Sequence, residues 1–458
     1  MSPNPEDWPY PYSPTDWQSC LRVLQQAALE PDQVPDLEAF KTLVTGIYKA
    51  ARKNKRKAQL QARQDHDLQL LAATERVQAE LPSNASAPTE TQLFQGKYCY
   101  SCKEKYHQVD SYYHRLCPDC ADLNRQHRNH NLDLSGRIAL VTGGRIKIGY
   151  ATALRLLRSQ AQVWVTTRFP AQAAHAFAQE PDFAHWQTRI KIIGLDLLNL
   201  GALEATIASL SQSLPHLDIL INNAALTLWQ PPAYYQALSD QDALLRGSVR
   251  PLGLLAEPQL PQIQQRQSGL VQQDRFSPPG TGVVWETFQS LPSPVSAEHN
   301  SWLLELEQIP AREMLEVQVI NQIAPMMLCS QLKGLMLRSP FEWRWIVNVT
   351  AIEGQFSDPL KQSKHVHTNA AKAGLNMLTR TAASAYAQDK ILMNAVDPGW
   401  VSSDQHAAKQ AQTGKEPHKI PPLALEDASA RICGPILDCL AGYPVWGKLL
   451  KNYQVIDW

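Results

Sequence analysis

Arg137-Ile-Ala-Leu-Val-Thr-Gly-Gly-Arg-Ile-Lys-Ile-Gly149 is the stretch on which the reading of this chain turns. Five apolar or β-branched residues run into a glycine turn, and Tyr150-Ala-Thr-Ala-Leu-Arg-Leu-Leu-Arg158 then spaces its apolar residues for a helix. Strand, tight turn and helix in that order aim backbone N–H groups and the positive end of a helix dipole at one point, a geometry that receives a diphosphate. One such turn is a weak signal, because many strand-to-helix turns use glycine only for its freedom at positive φ. The flanking sequence has to carry the assignment.

Apolar runs at 137–142, 162–167, 189–195, 217–222, 343–350 and 391–396 predict strands separated by helices, the pattern of an α/β, doubly wound parallel sheet. The chain has 458 residues, enough for more than one domain, and its 43 Lys+Arg balance 43 Asp+Glu, so no global field recruits nucleic acid or an anionic membrane. No apolar run approaches the ~18 residues of a membrane span, and Met1-Ser-Pro-Asn-Pro-Glu-Asp-Trp-Pro-Tyr10 lacks the regions of a signal peptide. The expectation is a soluble, cytoplasmic protein. Cys20, Cys329, Cys433 and Cys439 are scattered among apolar neighbours and read as buried thiols, whereas the other four cysteines cluster.

Upstream of the turn, residues 1–14 read as an irregular Pro- and aromatic-rich arm, followed by helices over Asp16–Leu29 and Asp36 to about Gln78 around the breaker Pro31-Asp-Gln-Val-Pro35. The second helix carries Arg52, Lys53, Lys55, Arg56 and Lys57, read as a solvated face rather than a nucleic-acid contact. Residues 81–91 read as a linker. Tyr98-Cys-Tyr-Ser-Cys102, fourteen intervening residues and Cys117-Pro-Asp-Cys120 form two knuckles, and Cys99, Cys102, Cys117 and Cys120 complete a tetrahedral four-cysteine site for a structural Zn2+. His107 and His114 between the knuckles are alternative ligands or, as the plainer reading, surface histidines. The stretch looks like a zinc ribbon or treble clef whose metal stabilises a small core and which can hold a protein partner. The expected organisation is a helical region and linker over 1–90, the four-cysteine module over 91–130 and the sheet domain over 131–458.

Five motifs follow one another in the sheet region: Thr142-Gly-Gly-Arg-Ile-Lys-Ile-Gly149, Asp196 after the third strand, Asn222-Asn-Ala-Ala225 after the fourth, Asn321 in Val-Ile-Asn-Gln-Ile-Ala-Pro325, and Pro398-Gly-Trp-Val-Ser-Ser403. In this order they resemble the short-chain dehydrogenases/reductases, from about residue 134 to the end with one insertion. The resemblance implies a Rossmann fold, a nicotinamide cofactor and a small-molecule substrate, in a homo-oligomer. Thr142, Gly143, Ile148 and Gly149 would form the cofactor turn, with Lys147 departing from the family at the third glycine. The second strand closes on Thr166-Thr-Arg168, with no acid to accept from an adenosine 2′-OH, so Arg168 and Arg145 favour NADP(H) over NAD(H). The family also places Asp196 at the adenine, Asn223 and Ala224 beside the cofactor, and Pro398, Gly399 and Ser403 at the nicotinamide.

The reaction centre departs from the family. Tyr386-Ala-Gln-Asp-Lys390 fits the family's Y-x-x-x-K pattern literally but lies at a helix end just before the last central strand. The matching position is His367-Thr-Asn-Ala-Ala-Lys372, where Lys372 fits the lysine and Thr368 replaces the tyrosine; upstream, Ala351 stands at the serine position beside Thr350, and Asn321 matches the relay asparagine. An aliphatic hydroxyl is far less acidic than a phenol, so Thr368 is a poor general acid. Three substitutes are open: His367 or His365; Lys372 itself with a lowered pKa; or Tyr234 or Tyr235 reaching in from the insertion. The alternative to an enzyme is a catalytically inactive nucleotide sensor or scaffold. The insertion, at about 228–310 within 97 residues between Asn223 and Asn321, is Gln/Pro-rich over 256–296 and has ends read either as a lid or as a surface excursion. Gly447–Trp458 is expected to add a last strand.

Overall fold

The computed structural model describes residues 9–80, 91–130, 132–227, 229–230, 232–256, 301–357, 361–401 and 417–458. The body of the expected linker, the Gln/Pro-rich part of the insertion and Ser403 lie outside these. The chain divides into two compact units, Met1–Leu70 with Leu93–Gln95, and Leu71–Gln92 with Gly96–Trp458.

In the first unit, Ser13 caps helix α1 (Pro14–Leu29) by accepting from the Asp16 N–H at 3.1 Å. The Asp67 carboxylate accepts from the N–H groups of Phe94 and Gln95. Helix α2 (Leu37–Ala72) stops six residues before the sequence-based end. A separate turn, α3 (Glu75–Gln78), belongs to the second unit and follows Thr74, whose hydroxyl bonds back to the Leu71 carbonyl at 2.8 Å. Arg52, Lys53, Lys55, Arg56 and Lys57 are all exposed.

In the second unit, β1 (Gln92–Tyr98) and β2 (Lys105–Gln108) pair antiparallel and precede α4 (Pro118–Asn129). The remaining described strands are β3 (Ile138–Thr142), β4 (Gln162–Thr167), β5 (Ile190–Gly194), β6 (Ile219–Asn222), β7 (Leu255–Ala256), β8 (Arg344–Val349), β9 (Ile391–Asp397), β10 (Leu449–Lys451) and β11 (Gln454–Ile456). Among the described residues they form a nine-stranded sheet of order β11-β10-β9-β8-β6-β3-β4-β5-β7, parallel except for β11. The six strands expected from the sequence are all present, and the C-terminus adds a hairpin rather than a single strand.

Strands buried on both faces explain the near-continuous apolar runs. Ala139 and Val141 of β3 join a core with α5 (Lys147–Arg158), α6 (Pro170–Ala178) and α12 (Leu425–Leu440). Ile138 and Leu140 join a second core with α7 (Leu200–Ser213), α10 (Ala324–Leu337) and α11 (Val366–Gln388). The helices thus cover both faces, and the strand order reverses between β3 and β6, which places a crevice at their C-terminal edge.

Candidate cofactor and active site

The glycine turn is built by close approach. Gly143 takes φ +68, and a Cβ there would stand 2.9 Å from the Ala224 Cα; a Cβ on Gly149 would collide with the Gly143 carbonyl oxygen and with Asn223 Nδ2. The Asn223 amide donates to the carbonyls of Thr142 and Gly143 at 3.0 and 3.3 Å, and the Thr142 hydroxyl accepts from the N–H groups of Asn223 and Ala224, both at 3.0 Å. The turn and the end of β6 are therefore one hydrogen-bonded unit. Lys147 keeps a glycine-like backbone, φ +55, with its side chain exposed, so the departure from the family leaves the path of the turn intact at a modest strain cost.

Around the turn lies a crevice of about 370 Å³ lined by Gly143, Arg145, Lys147, Ile148, Gly149, Arg168, Asp196, Asn223, Ala224 and Val401, with the N-terminus of α5 opening on it. Arg145 donates to Gln172 Oε1 at 2.9 Å, and the Arg168 guanidinium lies 4.3 Å from the Tyr235 ring centroid. Asp196 accepts from the Leu198 N–H at 3.0 Å. A glycine cradle at a helix N-terminus suits a dinucleotide diphosphate, and the fold supplies the site at its switch point.

Two strands along, Thr350 follows the end of β8, and Lys372 lies one turn beyond Thr368 on α11. Lys372 Nζ donates to the Val349 carbonyl at 2.8 Å, and burial pushes its pKa down to about 8 against the opposing pull of Glu353 and Asp397. The hydroxyls of Thr350 and Thr368 are buried and lack a hydrogen-bond partner among the described residues. Each of these two buried hydroxyls is left needing a partner. His367 is buried with Nε2 3.3 Å from Oε1 of Glu313, on α9 (Ala311–Gln318), outside hydrogen-bond alignment. His365 takes φ +42, lies 4.3 Å from the Trp302 ring centroid, and is pushed by burial to a pKa of about 4. Asn321 sits in a π-helical segment, Val319–Ile323, with both ends of its amide engaged: Oδ1 accepts from the Leu226 N–H at 2.7 Å and Nδ2 donates to the Leu226 carbonyl at 3.0 Å.

Of the sequence-based substitutes for the missing tyrosine, Tyr234 and Tyr235 lie beside Arg145 and Arg168. They start α8 (Pro232–Val249), which packs on α6 through Gln172, and Tyr235 lies against Arg168. The two described ends of the insertion have different neighbours. Tyr235 and Arg246 of the first end line a second cavity of about 530 Å³ with Arg168 and Arg312. The second end covers the start of α11, where Leu304 accepts from the His365 N–H at 3.1 Å and Ser363 donates to Glu305 at 3.0 Å. Glu313 and Trp302 were not legible as site neighbours because nothing in their local sequence marks them; the fold brings them in.

The four Sγ atoms of Cys99, Cys102, Cys117 and Cys120 lie within 4.8 Å of one another, with Cys102 and Cys117 at 3.7 Å. Tetrahedral bonds of about 2.3 Å separate ligand sulfurs by about 3.8 Å, so the cluster fits a metal held by four thiolates. His107 is exposed, but His114 is not the surface residue the sequence suggested. It is buried, and its Nε2 donates to the Ile420 carbonyl at 3.3 Å because the module folds onto the segment before α12.

Family comparisons agree with this architecture. Residues 137–271 match the short chain dehydrogenase family and residues 299–423 match the Enoyl-(Acyl carrier protein) reductase family. The chain belongs to the short-chain dehydrogenases/reductases, as a divergent member. An uncharacterized protein of Acanthamoeba polyphaga mimivirus is 30% identical over 353 residues, covering 74% of this chain and 71% of that protein. The NADP-dependent 3-hydroxy acid dehydrogenase YdfG of Escherichia coli is 27% identical over 132 residues, 29% of this chain and 51% of the enzyme. A WW domain-containing oxidoreductase of Drosophila melanogaster is 35% identical over 100 residues, 21% of this chain and 24% of that protein. The chain thus spans about half or less of these two oxidoreductases. Among solved structures, an NADPH-bound carbonyl reductase from chicken fatty liver is 19% identical with a TM-score of 0.45, covering 71% of this chain and all of that one. Among the described residues no helix is long and apolar enough to cross a membrane.

Proposed function

We propose that this chain is an NADP(H)-dependent oxidoreductase acting on a small organic carbonyl or alcohol, with Lys372 rather than a tyrosine supplying the proton. The observation that carries the reading is the turn itself, whose left-handed Gly143 and tight Gly149 open the N-terminus of α5 onto a crevice flanked by Arg145 and Arg168. Thr142, Gly143, Ile148, Gly149, Asn223 and Ala224 would hold the diphosphate and the adjoining ribose, Asp196 the adenine, and Pro398 and Gly399 the nicotinamide. Arg145 and Arg168 offer donors to a 2′-phosphate, and position 168 carries no acid to compete for a 2′-OH. When bound, the nicotinamide supplies or accepts the hydride.

The chain itself must hold the substrate oxygen and exchange a proton with it. Thr350 and Thr368 present orphan hydroxyls that can orient and relay. Lys372, with its pKa near 8, is an ammonium at neutral pH and acidic enough to donate to a developing alkoxide. His365, with its pKa pushed to about 4, is neutral there and a weak source of protons. His367 faces Glu313, and Asn321 steadies Leu226 at the crevice rather than presenting a free side chain.

Fluorescence titration tests the cofactor. NADPH should bind more tightly than NADH, and Arg168→Ala should weaken NADPH about 10- to 100-fold while changing NADH little. Binding of neither nucleotide ends this reading. The second reading, a nucleotide-binding sensor without turnover, is favoured by Ala351, which offers no hydroxyl at the substrate; tight NADPH binding with no turnover over a panel of carbonyls and enones would select it.

A further inference from the structure

The loop after β9, Pro398 to Val401, is held by residues of the four-cysteine module. Tyr100, between the two cysteines of the first knuckle, accepts from the Trp400 N–H at 2.8 Å. From the second knuckle a different path arrives: Asn124 on α4 donates to the Cys120 carbonyl at 2.7 Å and accepts from Arg431 Nη2 at 3.1 Å, while Arg431 Nη1 donates to the Pro398 carbonyl at 3.2 Å. Arg115 sets its guanidinium 5.3 Å from the Trp400 ring centroid. Gly399 sits between these supports at φ +83, with the space of a Cβ already taken by Arg431 and, at 3.3 Å, by the Tyr100 oxygen.

Both knuckles therefore end on the same short loop, and each reaches it through side chains whose position follows from where the cysteines are. Tyr100 is one residue from Cys99 and two from Cys102, so convergence of the four sulfurs fixes where its phenol stands. Asn124 lies one helical turn from Cys120 and moves with it. Arg431 is 2% exposed, and its bonds to Asn124 and Pro398 give two of its buried nitrogens acceptors whose loss would be costly. Val401, at the end of the loop, lines the cofactor crevice.

We propose that the four-cysteine module is the clamp of the nicotinamide-side loop, with Tyr100 and Asn124 as positioning residues, so that metal occupancy sets how firmly the reactive half of the cofactor is held. This rests on the cofactor reading above. The effect is local to one end of the crevice. The bonds that build the glycine turn and seat Arg145 and Arg168 run to other partners, so the adenosine half of the cofactor is gripped with or without the clamp.

The test compares NADPH with 2′,5′-ADP, which carries the adenosine half alone, on the full-length protein, on Tyr100→Phe and on protein stripped with a chelator. Tyr100→Phe keeps all four cysteines and removes one half-buried acceptor, so it should retain its zinc and thermal midpoint, weaken NADPH roughly fivefold and leave 2′,5′-ADP unchanged. Amide exchange in a peptide spanning 398–401 should speed up in the variant, and stripped protein should show the same selective loss, larger in size. Equal NADPH affinity in Tyr100→Phe and the parent, or parallel loss of both ligands, would overturn the clamp. A parent protein that binds 2′,5′-ADP and NADPH yet does not respond to Tyr100→Phe fails the clamp while sparing the cofactor reading; one that binds neither fails both.

Discussion

Replacing Lys372 with methionine should make the protein more stable at neutral pH while removing its proton source. The ammonium is buried, and its pKa falls from the ordinary 10.5 to about 8, a difference equivalent to about 3 kcal/mol of native-state cost when the group is charged. Below pH 8 both folded and unfolded chains carry the proton and the whole cost is present. Between 8 and 10.5 the unfolded chain holds more protons, so stability rises with pH; above 10.5 the cost is gone. Methionine fills a similar volume without charge but strands the Val349 carbonyl that Nζ now serves, giving back about 1 kcal/mol. The net expectation is a gain of about 2 kcal/mol for Lys372→Met near neutral pH, shrinking to nothing or reversing as the pH nears the ordinary lysine value. Urea unfolding of both proteins across that range measures it, the difference between them cancelling other titrating groups. A variant less stable than the parent at neutral pH, or a difference that does not change with pH, would refute the account of a desolvated ammonium.

Other consequences are open to direct measurement. If Lys372 donates the proton, kcat for carbonyl reduction falls about tenfold per pH unit above pH 8, and the fall vanishes along with turnover in Lys372→Met. Gly149→Ala drives a Cβ into the Gly143 carbonyl and the Asn223 amide, and should cost about 2–4 kcal/mol in urea unfolding together with most nucleotide affinity. Gly46→Ala, in α2 with nothing within 4 Å of the new Cβ, should instead be neutral or stabilise by up to about 1 kcal/mol. Elemental analysis should find about one zinc per chain, lost in Cys117→Ser with a lower thermal midpoint.

The site's departures from its family have unequal weight. Lys147 looks disruptive in the sequence, yet its backbone adopts the conformation a glycine would take, and the turn around it is intact. On the proposed reading Thr368 and Ala351 weigh more, since one stands where the family has a phenol and the other where it has a hydroxyl. Asn321 illustrates a different limit: its match to the family is plain in the sequence, but the structure commits its amide to Leu226 at both ends.

By itself the sequence determined the positions of the six central strands, the glycine turn and the paired knuckles. Each of these is written in a window of a few residues, as an apolar run, a glycine where backbones meet, or a C-x-x-C spacing. The family resemblance likewise rests on short motifs in order. The tertiary structure alone decided that the insertion's first end joins Arg168 while its second covers α11, and that Glu313 faces His367. It also decided that Tyr100 meets Trp400 across 300 positions of chain. Such pairings depend on which buried polar group is left needing a partner once the helices and strands have packed, and no local pattern records that.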